Sequence, residues 1–347
     1  MAGQPVCRLC GQPLYEHYIT ALNATWHPEH FLCAACHLPI RDASFNVYEN
    51  QPYHPQCYIE RAAPRCAFCG KPLAGSYITS EGRSYHPDCY REHVVPRCVY
   101  CNQPLTGEYM IDAWGNKFCK RHEQEFPACE FCGRLIPPSQ REQGRPAALR
   151  CTVCRSRAIE TPAQAVPLFE SLKQWMGGQG LQLPAIPLRL ELCDRATLIR
   201  HMQQRGARSG NRGSVPFEPH TLGVTMSTTH MLNGREVRTD INGVAVLRGL
   251  PAPLFSGVVV HELGHVWLVT QRIQGLPPWA EEGFCELLAH RYYRLLNSAE
   301  SRYYAEGIEK NPNPIYGDGF RRVREVAYRI GFQQYVQQLR ATKRLPA

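Results

Sequence analysis

The sequence predicts a multi-domain chain, an array of small β modules followed by a larger α+β domain. Three observations predict it. Fifteen of the 17 cysteines lie between Cys7 and Cys154, with only Cys193 and Cys285 outside. Those fifteen recur in a repeat, C-x-x-C-x-x-P-[LI] followed by a second pair of Cys or His residues. Past residue 157 the repeat gives way to helical and strand patterns, with the polar string HELGH at 261–265 set in an apolar stretch.

Taken in order, the repeat comes first. Its units offer Cys7, Cys10, His27 and His30; Cys33, Cys36, His54 and Cys57; Cys66, Cys69, His86 and Cys89; Cys98, Cys101, Cys119 and His122; and Cys129, Cys132, Cys151 and Cys154. The fifth unit loses the shared proline. Each unit supplies the four thiolate or imidazole donors that a tetrahedral structural Zn²⁺ requires. Five units use all 15 local cysteines and five histidines, whereas a disulfide framework leaves the histidines unexplained. Five structural zinc ions are therefore expected. His30 stands where a cysteine is commoner. His17, His37 and His93 are not needed and read as surface or loop residues. An aromatic precedes the third ligand in the first four units, at Trp26, Tyr53, Tyr85 and Phe118. Packing beside the metal compensates for a core this small.

Only Phe31 and Leu32 separate the first two units, and this joint, WHPEHFLCAAC, resembles the LIM domain, two zinc modules fused by a two-residue hinge. Residues 1–60 are accordingly read as a LIM domain. Residues 61–157 are read as three further LIM-like or zinc-ribbon modules with longer joints. The resemblance implies a platform for protein partners.

Residues 158–347 form the second domain. AQAVPLFESLKQWM has helical apolar spacing, and LPAIPLRLELCD alternates Ile186, Leu188, Leu190 and Leu192 as a strand does, followed by Cys193 as a core thiol. The Gly/Arg/Ser/Pro-rich stretch from Gly206 to Glu218 reads as a loop. GVTMSTTHMLNGREVRTDINGVAVLRGLP offers two or three strands with turns at Asn233-Gly234 and Asn242-Gly243, and places His230 on a strand surface. From Pro253 the pattern turns helical.

On that helix His261 and His265 are one turn apart and face the same way, so both can hold one ion. Glu262 points to the side where a water activated by the metal would sit, as its base. A catalytic zinc needs a third protein ligand. PPWAEEGFCE opens a second helix at Pro278 and offers Glu281, Glu282 and Glu286. If Glu282 binds, Glu286 one turn on can accept the N–H of a ligand histidine. If Glu281 binds, its neighbour one turn on is Cys285. The apolar stripe of Phe284, Leu288 and Tyr292 is centred nearer Glu281, so helix geometry leaves both open. A tetrahedral oxyanion also needs a donor, for which Tyr292, Tyr293, His290 and Tyr316 are the candidates.

W-x-x-E-G following H-E-x-x-H resembles the gluzincin metallopeptidases, which implies Glu282 as third ligand and an α+β zincin-type fold. LPAPLFSGVVVHELGHVWLV, EEGFCELLAH and PIYGDGFRRVREVAYRIG are similar to the plant LIM-domain peptidases of the DA-one family. That resemblance implies a zinc endopeptidase acting on protein substrates, with one catalytic zinc beside the five structural ions and a LIM array that recruits or gates. It also implies ubiquitin as an activator. No acidic ubiquitin-interacting helix precedes the first zinc unit of this sequence, and there is one zinc unit more than in the plant members, so ubiquitin stays a candidate partner that no such helix supports.

Composition bounds the alternatives. The 347 residues are 44% hydrophobic and 20% charged, a globular composition. Arg248, Pro251 and Pro253 interrupt the most apolar run, which predicts no membrane span, and MAGQPVCRLC lacks the regions of a signal peptide. A cytoplasmic protein is expected. The net charge of +9 is dispersed, its densest runs being RRVRE at 321–325 and RATKRLP near the C-terminus, and reads as a solvated face. A nucleic-acid-binding zinc-ribbon protein is thus disfavoured as an alternative. An interaction scaffold with a latent or inactive peptidase domain is the other.

Overall fold

The computed structural model describes residues 4–142, 148–183, 187–208, 221–232 and 235–346. Two compact units emerge, Met1–Ile111 with Asn116–Lys120, and Asp112–Gly115 with Arg121–Ala347.

The repeat dictates the first unit. After each C-x-x-C the chain turns back, and the residue following the second cysteine takes a left-handed conformation at Gly11, His37, Gly70, Asn102 and Gly133. Its N–H donates to the carbonyl of the first cysteine at 2.8–2.9 Å. Glycine and asparagine tolerate that region, which explains their recurrence there. A bridge closes each turn, pairing Val6 with Pro13, Leu32 with Pro39, Arg65 with Pro72, Arg97 with Pro104 and Ala128 with Leu135. The last pair shows that the turn does not need its proline. A two-stranded hairpin follows in the first four repeats: β1 Ile19–Ala21 with β2 Ala24–Trp26, β3 Asn46–Tyr48 with β4 Gln51–Tyr53, β5 Ile78–Ser80 with β6 Arg83–Tyr85, and β7 Tyr109–Ile111 with β8 Lys117–Cys119. The fourth ligand then sits on a short helical segment. A 3₁₀ turn, Pro28–His30, carries His30. In the later repeats α1 Pro55–Cys57, α2 Pro87–His93, α3 His122–Glu125 and α4 Thr152–Ser156 do so.

The fifth repeat, with α3 and α4, lies in the second unit, which continues with α5 Pro162–Gly178, opened by a Thr161/Gln164 capping box and burying Ala165, Phe169, Leu172 and Met176. Strand β9 Arg189–Cys193 follows, with Cys193 buried as expected. Ile186 lies outside the described residues. Leu190 and Leu192 are only half-buried, so the expected alternation is weak. An unexpected helix, α6 Arg195–Arg208, comes next. Asp194 caps it, accepting from the N–H of Thr197 at 2.8 Å. The loop expected from Gly206 is therefore helical to Arg208, and its remainder lies outside the described residues.

Strands β10 Gly223–Leu232 and β11 Arg235–Leu247 pair antiparallel, β9 runs parallel to β11, and the order is β10-β11-β9. The turn expected at Asn233-Gly234 lies outside the described residues. The turn expected at Asn242-Gly243 is not one. Met226 pairs with Gly243 and Ser227 with Ile241, which leaves Asn242 as a bulge inside β11. Gly243 has φ 153°, and a Cβ there would lie 2.1 Å from the Arg189 carbonyl oxygen of β9. The glycine serves a close strand approach, not a reversal.

Helices α7 Ala252–Thr270, α8 Pro278–Leu296, α9 Ala299–Lys310, α10 Gly317–Ile330 and α11 Phe332–Thr342 complete the unit. Pro251 and Pro253 do not break the apolar run, as expected of them, but open α7, where no intrahelical N–H donor is required. By length and composition α7 could cross a membrane, yet most of it is buried inside this unit. Its Phe255, Val259, Leu263 and Trp267 share one core with Phe169, Val244, Leu247, Phe284, Phe320 and Tyr335. Cys129, Phe131, Cys132, Ile136, Cys151 and Cys154 belong to that same core. The compact units part near residue 120, whereas the cysteine repeat ends near residue 157. Just past that end Ile159 donates to the Leu250 carbonyl and Gly249 to the Ile159 carbonyl, each at 2.8 Å.

Candidate active site

Glycines decide how the two site helices meet. A Cβ on Gly264, within HELGH, would lie 2.9 Å from Cys285 Sγ and 3.1 Å from Leu288 Cδ1, so the glycine lets α7 press against α8. On its other side α8 meets α10 through Gly283 and Gly319. A Cβ on Gly283 would fall 2.3 Å from the Gly319 carbonyl carbon, and one on Gly319 would fall 2.1 Å from the Trp279 carbonyl oxygen. The glycine of EEGF and those of IYGDGF are thereby structural.

The resulting geometry gathers two histidines around one carboxylate. Glu282 Oε2 lies 3.2 Å from His261 Nε2 and 3.4 Å from His265 Nε2. The opposite ring nitrogens each face another carboxylate: His261 Nδ1 is 3.4 Å from Glu286 Oε1, and His265 Nδ1 is 2.9 Å from Glu281 Oε1. Of the adjacent pair, the Glu282 side chain is 12% exposed and that of Glu281 36%. The apolar stripe that drew Glu281 inward on the sequence pattern is overruled by the way α8 turns towards α7. Glu281 instead occupies the outer position on His265, a partner that sequence reasoning missed.

Electrostatics follow this nest. Burial opposes charge on His261 and His265, but Glu282 and Glu286 raise the pKa of His261, and Cys285, Glu282 and Glu281 raise that of His265 well above its ordinary value. Burial alone would raise the Glu282 carboxyl, yet the two histidines hold it well below the usual range. Glu286, buried and flanked by Glu282, is raised. Burial pushes the Cys285 thiol up to about 12, so it is a packing group here.

Glu262 is buried beside the histidines and is held from β10. Thr225 Oγ1 lies 2.8 Å from Glu262 Oε2 and 3.0 Å from the Glu262 carbonyl oxygen. Gly223 makes room for the same side chain, since a Cβ there would lie 3.1 Å from Glu262 Oε1. Nothing in the strand pattern of GVTMST marks Thr225; only the packing of β10 on α7 does.

The oxyanion candidates separate. Tyr316 caps α10, and its phenol is raised by burial and then by Glu282, with Glu286 and Glu262 adding to it, so its electrostatic neighbours are those of the site. His290 turns away: its Nε2 is 2.7 Å from Glu309 Oε1 and its ring lies tilted against Phe320, 4.9 Å between centroids. Tyr293 is buried against Gly257, where a Cβ would collide with its hydroxyl, and of the site carboxylates it feels Glu286. Tyr292 packs its ring 5.1 Å from that of Trp175.

In each of the five repeats the four expected donor atoms lie within 4.8 Å of one another. Cys10 Sγ is 3.5 Å from His27 Nδ1, Cys36 Sγ 3.3 Å from His54 Nδ1, and Cys69 Sγ 3.4 Å from His86 Nδ1. The far nitrogens of His54 and His86 face the carbonyls of Pro39 and Pro72 at 3.3 and 3.1 Å, which fixes Nδ1 as the metal-facing atom. Burial works against ionising Cys33 and Cys66, but backbone N–H groups from the turn and from His54 or His86 lower both to about 6. These are thiolate-and-imidazole clusters of the kind that bind zinc.

Residues 7–62 match the LIM domain family, and residues 214–302 match the DA1-like family described as Protein DA1. The second match contains Thr225, His261, Glu262, His265, Glu281, Glu282 and Glu286. Along its length the chain is similar to Protein DA1 of Arabidopsis thaliana, 24% identical over 397 residues that cover 98% of this chain and 68% of the relative. It is similarly related to Protein DA1-related 1 of the same plant, at 24% identity covering 96% and 64%. LIM domain-containing protein HDR3 of Oryza sativa subsp. japonica is also 24% identical, covering 98% and 74%.

Proposed function

From its likeness to the LIM domain and DA1-like families, we propose that this chain is a LIM-bearing member of the DA1 family and a zinc-dependent endopeptidase hydrolysing peptide bonds of protein substrates. The observation that carries the reading is the convergence of His261 Nε2 and His265 Nε2 on Glu282 Oε2, with buried Glu262 alongside. The donor set fits a catalytic zinc: two imidazoles and one carboxylate, with Glu281 accepting from His265 Nδ1 at 2.9 Å and Glu286 facing His261 Nδ1 at 3.4 Å, which leaves the Nε2 lone pairs to bind. Zinc, when bound there, supplies a Lewis acid that polarises the scissile carbonyl and acidifies a water.

The chain's own residues do the rest. Thr225 holds one oxygen of Glu262 and leaves Oε1 to take the proton of the attacking water and pass it to the departing amine. Tyr316 is the donor offered to the developing oxyanion. The zinc array recruits protein partners, a role supported by the LIM match and by the large apolar side chains it leaves exposed, among them Leu9, Tyr15 and Leu38.

The test combines metal counting with proteolysis on the purified full chain. Six zinc ions per chain are expected, and His261→Ala with His265→Ala should remove one and leave five. Glu262→Gln should keep all six and lower proteolysis by about 10²–10⁴-fold. Undiminished cleavage by that variant would sink the mechanism, and a wild-type count of five would sink the site.

A further inference from the structure

Beyond the carboxylates, on the later half of α8, a cavity of ≈ 370 Å³ is lined by Trp175, Gln179, His290, Arg291, Arg294, Leu295 and Tyr328. Its chemistry is lopsided. Arg291 is half-buried, and burial lowers its pKa, yet among the described residues no carboxylate lies within ion-pair distance of Arg291 or Arg294. Arg291 gives one N–H to a neutral amide, Gln179 Oε1, at 2.9 Å and lies 4.0 Å over the Phe332 ring. Its Nε is buried without a partner, as is Nδ1 of His290. Of the acids nearby, Glu309 is engaged by His290 at 2.7 Å and by Arg324 at 3.8 Å, and Glu306, whose carboxyl Lys310 and then Arg294 hold down, is bound by Lys310 at 2.9 Å.

A sheltered guanidinium without a counter-charge is costly to keep, and an arriving anion relieves that cost. Stacking on Phe332 accounts for Arg291 as packing. It does not account for Arg294 beside it, nor for Leu295 and Tyr328, left 63% and 62% exposed at the same rim. We propose that this cavity is a binding site for an anionic group, carboxylate or phosphate, carried on an aromatic or aliphatic body. Arg291 and Arg294 take the anion, and Trp175, Leu295 and Tyr328 take the body. The volume suits a single side chain or a small organic acid, at the low end of the roughly 300–1,000 Å³ of small-ligand pockets. The site stands independently of the peptidase reading.

The experiment titrates the zinc-loaded full chain with phenyl phosphate, phenylacetate and inorganic phosphate, read by calorimetry and by tryptophan fluorescence. Saturable binding of phenyl phosphate or phenylacetate is expected, with a fluorescence change that Trp175→Phe abolishes. The stronger of the two probes identifies the anion. Arg291→Gln with Arg294→Gln should weaken binding at least about tenfold. Should that double variant fold poorly, Arg294→Gln alone and Tyr328→Ser, both at the exposed rim, should each weaken it. Absence of saturable binding, or binding indifferent to these substitutions, overturns the proposal. Inorganic phosphate binding as tightly as phenyl phosphate overturns the part assigned to the apolar wall.

Discussion

The third and fifth repeats carry the same kind of donor set and are held by different things. Around Cys66 and Cys69 the buried apolar side chains are Leu73 and Tyr85, with Cys89 and Tyr90 packed beside them, a core of a few residues closed on itself. Around Cys129 and Cys132, Phe131 and Ile136 merge into the core that also contains Phe169, Phe255, Leu263 and Phe284. The fifth repeat is further tied by Arg150, which reaches Glu142 at 2.7 Å, the Gly249 carbonyl at 3.3 Å and the Glu160 carboxylate. A small zinc module depends on its metal because it has little else to bury. A module fused to a large core instead makes its metal a determinant of that core. Similar ligand spacing therefore conceals two roles, a detachable module and a structural part of the candidate catalytic unit.

Truncation should break this comparison most visibly. A chain starting at residue 121 keeps the fifth repeat, and one starting at residue 158 removes it. The first should melt cooperatively and retain the zinc of Cys129, Cys132, Cys151 and Cys154. The second should expose the surface that Phe131 and Ile136 cover and be molten or insoluble, as judged by near-ultraviolet circular dichroism and sedimentation. Equal folding of both would refute the fused core.

Next in size, Cys132→Ser and Cys69→Ser should each remove one zinc from the full chain. Only Cys132→Ser should lower the melting transition of the second unit and its proteolysis, because apparent structural-zinc binding energies of about 10–16 kcal/mol are then lost from that unit's own folding. Cys69→Ser should leave the transition within error.

The smallest effect sharpens the contrast without touching a ligand. Phe131→Ala, 4% exposed in the large core, should cost the second unit about 3–5 kcal/mol in chemical denaturation, while Tyr85→Ala should leave that unit's midpoint in place. A similar loss from both would show that the two repeats do not differ as their cores suggest.

Much of this organisation was legible in the sequence, for local reasons. A C-x-x-C turn needs only a left-handed residue and a few backbone hydrogen bonds to aim two sulfurs together, so the five donor sets could be grouped by spacing alone. His261 and His265 are likewise fixed to one helical face by an i, i+4 relation. Helix α6 was hidden because its cap, Asp194, adjoins a strand and its body is polar. The bulge at Asn242 was mistaken for a turn because Asn-Gly suits both, and only the closeness of β9 distinguishes them.

By itself, then, the sequence determined the donor residues, their repeat and the two helices that bear the site, since each follows from contacts within a few residues. Which glutamate faces both histidines, which one backs His265, that Thr225 grips Glu262, and that the fifth repeat belongs to the second core were decided only by the tertiary structure. These depend on how far one element is turned towards another, and that is set by close approaches at Gly264, Gly283 and Gly319 between segments distant in the chain.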